Sequence, residues 1–379
     1  METFKFGNGN WATKEDSVLA YNDENNNFKP LPFDFTRAST ATYVDSDGLI
    51  KTSRNGEARI DYTDSTDGAL LLEPSRTNLI TYSEDFSQYL YGGTAPTLTA
   101  GQLAPDGTYN ATKVSGVIGS TSLYKNSESS TTASRSIYAR TVSGTGTARL
   151  TSYNSNANNL FSLTEEWQRF ELTGSSSTGG VNFYAADFRG SQTLSEFIIW
   201  GAQSEEGSYP TSYIPTSGSS VTRAAETCSQ TPPSGIIGQT EGTMFVEYDQ
   251  NIIGQSATRR IIALTDGSIN NRIVLYVSSS NKIEFFVRNS IGQLFYDTSL
   301  NVNTKGNHKI AAAYKDGDYV VYLDGVEIIS GAGSSGTIPA CNRIDLGSQL
   351  GFSSLFEPIN NSKLYNTRLT NAELQTLTT

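Results

Sequence analysis

Apolar and polar positions alternate with a period of two over long parts of the chain. Lys282-Ile-Glu-Phe-Phe-Val-Arg288 puts Ile283, Phe285 and Val287 on one face and Glu284, Phe286 and Arg288 on the other, the pattern of a half-buried strand. Residues 308–314, 319–323 and 326–329 are apolar runs joined by Lys315-Asp-Gly-Asp318 and Asp324-Gly325. They predict a three-stranded meander, with Gly317 and Gly325 supplying the positive φ that tight turns need. Upstream, residues 111–114, 136–140, 148–152, 167–172, 181–184 and 197–200 are short strand-like runs separated by Gly, Ser and Asn, the spacing of a sandwich or jelly roll. Trp167, Phe170 and Trp200 are expected in its core. Residues 35–50 turn at Asp47-Gly48, and 59–62 and 69–74 read as further short strands. At the end, Thr370-Asn-Ala-Glu373 has capping-box spacing and predicts one terminal helical turn.

The apolar run Phe197 to Trp200 reads as the last strand of the jelly roll, and Gly201 to Gly207 as the turn leaving it. Pro210 and Pro215 then make residues 209–216 a semi-rigid spacer to the next body. The predicted fold class is all-β: two β-sandwich domains in tandem, the first a jelly roll, behind a short N-terminal anchoring segment. The divisions are a segment at 1–30, a small β connector layer at 31–80, a jelly roll at 81–226 and a second sandwich at 227–379. Thirty residues cannot bury Phe4, Phe6 and Trp11 alone, so these aromatics either fold onto the first body or dock on a partner; docking is the expectation. Thr36-Arg37-Ala38 recurs as Thr222-Arg223-Ala224, too short an echo to establish a repeat.

Composition sharpens the class. The 379 residues include 20 Tyr, 17 Phe and 34 Gly with only 17% charged residues, rich in strand and turn formers and poor in surface-helix formers. A net charge of -11 argues against a nucleic-acid partner, since no window concentrates the Lys and Arg that phosphate binding needs. No run approaches the roughly 18 apolar residues of a membrane span, and the N-terminus lacks the pattern of a signal peptide, so a soluble protein made in the cytosol, without membrane insertion, is expected. Cys228 and Cys341 lack metal-type spacing and read as two free thiols, a single bridge being the alternative if the protein is exported.

Catalytic chemistry is thinly represented. The single histidine, His308, lies in an alternating strand and reads as structural. No nucleophile elbow and no phosphate loop occurs. Glu165-Glu166 and Glu205-Glu206 are adjacent pairs that a strand sends to opposite faces, so they read as solvated charges. Asp45-Ser-Asp47-Gly48 is too short for a calcium loop and reads as a turn. No catalytic residue, metal site or cofactor is expected. Sugars stack on exposed aromatics and pair their hydroxyls with amides and carboxylates, so Tyr89, Tyr91, Tyr124, Asn126, Tyr153 and Asn156 are the candidate glycan-binding residues.

Tyr322-Leu-Asp-Gly325, Ile344-Asp-Leu-Gly347 and Lys363-Leu-Tyr-Asn-Thr-Arg-Leu-Thr-Asn-Ala-Glu-Leu374 resemble the concanavalin A-like, laminin-G-like sandwich over most of 236–379. The glucanases of that fold carry a Glu-x-Asp-x-x-Glu strand. Here Glu247 and Asp249 match but Ile252 replaces the last acid, which removes one of the two carboxylates that retaining hydrolysis needs. Ala104-Pro-Asp-Gly-Thr-Tyr-Asn-Ala-Thr-Lys-Val114, Trp167-Gln-Arg-Phe170, Trp200-Gly-Ala-Gln-Ser-Glu-Glu-Gly207 and Pro210-Thr-Ser-Tyr-Ile-Pro-Thr216 resemble the carbohydrate-binding-module-like jelly rolls of bacteriophage structural proteins. Residues 35–44 and 71–80 are similar to the stretch leading into those modules, and Phe4 to Trp11 looks like a virion-attachment segment. The resemblance implies a non-enzymatic virion fibre, of tail or head-fibre type, assembled in the host cytoplasm as a homotrimer. Its N-terminal segment would meet other virion proteins and its lectin-like domains a host-surface glycan. A purely structural decoration protein is the alternative, and a polysaccharide-degrading enzyme the disfavoured one.

Overall fold

A computed structural model describes all residues except 1, 15, 23–28, 128–132, 152–158, 175–180, 233, 252–257, 303 and 351–356. The described chain is built from strands and short turns, with one α-helix, Asn371–Thr378. The all-β sandwich reading holds, but the order of the pieces differs from two domains in tandem. One sandwich is made from both ends of the chain, and the jelly roll is inserted into it.

One layer of this terminal sandwich runs Glu2–Gly7, Ile359–Tyr365, Glu241–Gln250, Gly306–Lys315, Asp318–Leu323 and Val326–Gly331, each antiparallel to the next. The other runs Lys29–Thr36, Thr227–Gln230, Arg343–Leu346, Arg259–Thr265, Arg272–Val277, Lys282–Arg288 and Gln293–Asn301. Strand Ser17–Asn22 pairs with Lys29–Thr36 and meets the first layer at Lys5↔Tyr21, so it bridges the two sheets. The predicted meander is present, its Gly317 and Gly325 at positive φ, and the alternation of 282–288 appears directly as half-buried and buried positions in turn. Thr370 caps the helix with the expected reciprocal box, and the helix extends to eight residues because Leu374 buries against Phe245, Ala311 and Val320 on the outer face of the first layer.

The separate N-terminal segment is corrected by this pairing. Phe4 and Phe6 are fully buried in the sandwich core beside Phe33, at 5.6 and 5.0 Å between ring centroids. Trp11 packs edge-on against Phe6 and donates its indole N–H to the carbonyls of Asp67 and Gly68. These aromatics satisfy the hydrophobic demand of a core within their own chain, so they are not displayed as docking anchors. The connector layer at 31–80 is likewise divided: Lys29–Thr36 and Arg59–Asp61 with Ala69–Leu71 join the terminal sandwich, Ala41–Val44 and Ile50–Ser53 form a hairpin, and Arg76–Asn78 pairs with Val221–Arg223. That last pairing is a two-stranded neck through which the chain enters and leaves the jelly roll. Cys228 and Cys341 are both buried free thiols, and burial pushes Cys341 up to about 12, so neither is a ready nucleophile.

The jelly roll has a five-stranded layer in the order Thr97–Gln102, Ala111–Ser115, Glu196–Glu206, Ala133–Arg140, Gln168–Gly174. Facing it are Leu90–Gly92, Ser122–Ser127 and Val181–Asp187, with the hairpin Gly146–Arg149 and Leu160–Leu163. Val114, Ile137, Phe170, Phe183, Phe197 and Ile199 fill the space between. The central strand does not end at Trp200. Gly201, at φ +64°, sits in a register shift against Ala133–Arg140 and the strand continues to Glu206, so 201–207 is not a turn. Trp200 is buried, but on the other face of the sheet, at 4.5 Å from the Tyr213 ring in a cluster with Ile50, Ala104 and Ile198. Residues 209–216 are also no spacer: Tyr209, Tyr213 and Ile214 are buried, and the Ile214 N–H donates to Gln203 Oε1 at 2.6 Å.

Candidate functional site

A cleft of about 750 Å³ opens where the outer face of the jelly roll, the 41–64 region and one rim of the terminal sandwich meet. This volume lies in the range of about 300–1,000 Å³ typical of ligand sites, which favour such junctions. The jelly-roll wall follows from strand periodicity: Arg169, Glu171 and Thr173 share one face of Gln168–Gly174, with Trp167 just before it and Tyr138 on the neighbouring strand. Tyr43, Tyr62 and Asp61 face them, residues 208–213 close the base, and exposed Asn251 and Lys305 form the sandwich rim.

The aromatics are held in place. Arg140 lies 5.4 Å from the Trp167 ring and Arg169 5.7 Å from Tyr138. Arg169 Nη2 donates to Ser136 Oγ at 2.8 Å and to the Thr211 carbonyl at 2.6 Å, tying the wall to the base. Asp61 accepts the backbone amides of Val44 and Thr63 at 2.8 and 2.9 Å, and Asp64 accepts the Asn251 side-chain Nδ2 at 2.9 Å across the junction.

Beneath the base lies a buried charge network at the root of the neck. Arg59 donates to Glu226 and, at 2.8 Å, to Glu73; Arg37 pairs with Glu226 at 2.7 Å; Arg223 pairs with Glu73 at 2.8 Å. The backbone closes it, the Glu226 amide donating to the Glu73 carbonyl at 3.0 Å and the Glu73 amide to the Glu226 carboxylate at 2.8 Å. Burial pushes Glu73 upward, but Arg223 and Arg59, helped by the Ser212 hydroxyl and amide, outweigh it and hold its carboxyl down to about 2. Glu205, read from sequence as a solvated charge, is fully buried. Burial raises its pKa even though it accepts the Thr211 amide at 2.8 Å.

The predicted glycan residues lie elsewhere. Tyr89 is buried, its ring 4.9 Å from Phe86 and its hydroxyl donating to the Tyr82 carbonyl at 3.0 Å, so it is a core residue. Tyr91 is exposed on the edge strand Leu90–Gly92 opposite Leu123. Tyr124 packs 5.3 Å from Tyr184, and Asn126 is exposed two residues further along. None of these four lines the cleft, and Tyr153 and Asn156 fall outside the described residues. Trp167, expected in the core, is a half-buried cleft residue because its strand has only just begun there. The signal that was available for the network is the Thr-Arg-Ala echo: its two arginines, Arg37 and Arg223, converge on Glu226 and Glu73. Asp249 is engaged by Asn307 and Asn360 at 3.0 and 2.7 Å, and His308 by Asp324, consistent with structural roles. Among the described residues no group of three or more His, Cys, Asp or Glu could hold a metal ion, and no helix is long and apolar enough to cross a membrane.

The sequence matches no protein-family model and no curated protein. Solved structures with partial likeness include a CBM40 domain, a domain of an arabinanase and a sialidase. The CBM40 of Ruminococcus gnavus IT-sialidase, bound to α2,6-sialyllactose, is 13% identical with a TM-score of 0.33, covering 38% of this chain and 85% of that one. Domain 4 of AbnA, a GH43 extracellular arabinanase from Geobacillus stearothermophilus, in complex with arabinotriose, is 15% identical with a TM-score of 0.34, covering 41% and 73%. The NanB sialidase of Streptococcus pneumoniae is 16% identical with a TM-score of 0.32, covering 38% of this chain and 25% of its own.

Proposed function

We propose that this chain is a non-catalytic glycan-binding protein that holds a saccharide in the cleft between its two sandwiches. The observation that carries the reading is the cleft itself: half-buried Trp167, Tyr138, Tyr43 and Tyr62 offer ring faces for the apolar side of sugar rings, and Asp64, Asn251, Lys305 and Glu171 offer partners for hydroxyls on the rim. The reading is non-catalytic because the buried carboxylates are already committed. Glu73 accepts from Arg59, Arg223 and Ser212 and is held well below the usual carboxylate range, so it keeps no proton to give, and Asp61 is occupied as the acceptor of two amides. The resemblance of 35–44, 71–80, 104–114 and 200–216 to phage structural modules extends the proposal to a virion fibre, of head or tail, that assembles as a homotrimer and meets the host surface through this cleft.

Binding of the full chain to an array of bacterial surface glycans, followed by titration of the best ligand, tests this. Trp167→Ala is expected to weaken binding about tenfold or more while leaving the melting temperature in place. Binding unchanged by Trp167→Ala overturns the cleft, and sustained turnover of the bound glycan overturns the non-catalytic reading. A monomeric mass in solution, or absence of the chain from purified particles, overturns the fibre.

A further inference from the structure

The outer face of the second layer of the terminal sandwich carries a different chemistry, on residues the cleft does not use. Strand register sets out its side chains as a grid. Arg272 lies directly opposite Arg288, whose own partner is Gln293; the next row is Val274, Phe286 and Tyr296; the next brings Tyr276 between Arg260 and Glu284. Ile273, Leu275, Ile283, Phe285 and Val287 occupy the alternate positions and face the core, so the arginines and aromatics are held outward by the packing beneath them. A cavity of about 200 Å³ opens on this face, lined by Arg260, Arg272, Tyr276, Phe286, Tyr296 and Gln349; Arg288 is not part of its lining and stands beside it as the cross-strand partner of Arg272.

Like charges placed directly opposite one another on adjacent strands are unfavourable, whereas opposite-charge pairs stabilise. Arg343, on the same layer, has an acid partner: Asp345 at 2.8 Å. Among the described residues no carboxylate pairs with Arg260, Arg272 or Arg288, and Arg260 Nη1, Arg272 Nε and Arg288 Nε are shielded from solvent without a hydrogen-bond partner. Glu284, the nearest acid on the grid, already accepts the Tyr296 hydroxyl at 2.9 Å. Burial and then Arg272 lower the pKa of Arg260, and burial and then Arg288 lower that of Arg272, the signature of cations pressed together without a counter-charge. In a chain of net charge -11, three such arginines on one face are a local exception.

We propose that this face is a second saccharide site, specific for a carboxylated sugar unit of the uronic-acid class. The sugar ring lies on Phe286 and Tyr296, and its carboxylate takes the paired guanidinium groups of Arg272 and Arg288. Arg272 already sits 4.7 Å over the Phe286 ring, so a cation and an apolar platform are presented side by side at the scale of one sugar. The planar fork of a guanidinium matches a carboxylate bidentately, which distinguishes a charged sugar from a neutral one at the same platform. Gln293 is exposed at the edge of the cavity, and buried Gln349 accepts Arg260 Nε at 2.9 Å, which fixes that guanidinium at the cavity wall. The anionic half of this assignment stands on the arginines alone, and the saccharide half rests on the glycan-binding reading above.

The test is calorimetric titration of the full chain with trigalacturonate, its methyl ester and inorganic sulfate, for the native protein and the Arg272→Gln, Arg288→Gln and Trp167→Ala variants. Trigalacturonate is expected to bind, to lose affinity about tenfold or more in either arginine variant, and to bind Trp167→Ala as it binds the native protein. Its affinity falls with added salt, as a charge-led interaction at a partly exposed site must. Equal binding of the methyl ester overturns the charge specificity, and sulfate matching trigalacturonate overturns the saccharide. Loss of trigalacturonate binding in Trp167→Ala but not in the arginine variants overturns this site while sparing the cleft. Neutral glycans bound in the cleft with no trigalacturonate bound anywhere do the same. Arg272→Lys, which keeps the charge but not the fork, is expected to retain only part of the affinity, and full retention overturns the bidentate geometry.

Discussion

His308 Nδ1 lies 2.6 Å from Asp324 Oδ2, and Nε2 faces the Thr304 carbonyl at 3.0 Å. The hydrogen bond to Asp324 raises the pKa of the imidazole against the opposing effect of burial. Burial pushes the Asp324 carboxyl up, but His308 and the Lys309 amide outweigh it and bring it down. The signs follow. A raised histidine contributes stability that is complete below its ordinary value of about 6.5 and is lost as pH rises through the folded value. A lowered aspartate contributes stability present above about 3.9 and lost as pH falls through its folded value, so the pair is intact between the two. Because the chain has one histidine, its imidazole resonances are unambiguous in a proton NMR titration. The midpoint is expected above about 6.5 in the native protein and lower in Asp324→Asn, a replacement that tolerates the φ of +49° at that turn. Equal midpoints would remove the pair from the account. At Arg272 two effects oppose each other: repulsion from Arg288 costs roughly 0.2–1 kcal/mol and stacking on Phe286 contributes roughly 0.5–1 kcal/mol. Arg272→Gln is therefore expected to shift unfolding stability by less than about 0.5 kcal/mol, measured by urea denaturation, while removing a binding cation.

At the scale of elements, what could be read in the sequence was local. The alternation of 282–288, the two Asp-Gly turns and the capping box at Thr370 each depend on neighbouring residues and are present as expected. Partner choice is not local. Nothing within residues 2–7 records that Phe4 lies opposite Leu364, and three aromatics on a thirty-residue segment look like anchors until the far end of the chain supplies the other sheet. Gly201 misled for a related reason, since a glycine in a bulge and a glycine ending a strand read alike. The cleft was illegible because its walls come from strands distant in sequence, and single tyrosines carry no mark of which face they will occupy. The corrected role of the N-terminal strand has a measurable consequence. Phe6→Ala is expected to cost about 3–5 kcal/mol in denaturant unfolding, as truncation of a buried aromatic does. An exposed anchor would lose nothing. Deleting residues 2–30 removes strands from both layers of the terminal sandwich and is expected to abolish that sandwich's unfolding transition in calorimetry.

At the scale of the whole molecule, the insertion of one sandwich into another makes the neck the only covalent link between them, crossed once on the way in and once on the way out. Arg37 and Arg59 come from segments flanking the terminal sandwich, and Glu73, Arg223 and Glu226 from the two passes of the neck, so the buried network joins both passes to the sandwich beneath. A buried ion pair is not by itself a source of net stability, since desolvation offsets much of the attraction, but removing one partner leaves a stranded charge and costs about 3–5 kcal/mol. Glu226 serves two arginines, so Glu226→Gln leaves both Arg37 and Arg59 short of a counter-charge while nearly preserving shape. If the network couples the bodies, the native chain unfolds in one calorimetric transition, and Glu226→Gln separates it into two, one for each core. Acid reaches the same point by another route. Glu73, at about 2 when folded against about 4.3 when unfolded, contributes stability that is complete above about 4.3 and is lost as pH falls toward about 2. Glu205, raised by burial, has the opposite sign and is relieved as it protonates, so it softens the loss without reversing it. The native calorimetric trace is therefore expected to split on acidification below about pH 4, coming to resemble the variant at neutral pH. A single transition in Glu226→Gln at neutral pH, merely shifted to lower temperature, would place the coupling in the packing of the neck and leave the charges as a local feature of the cleft floor.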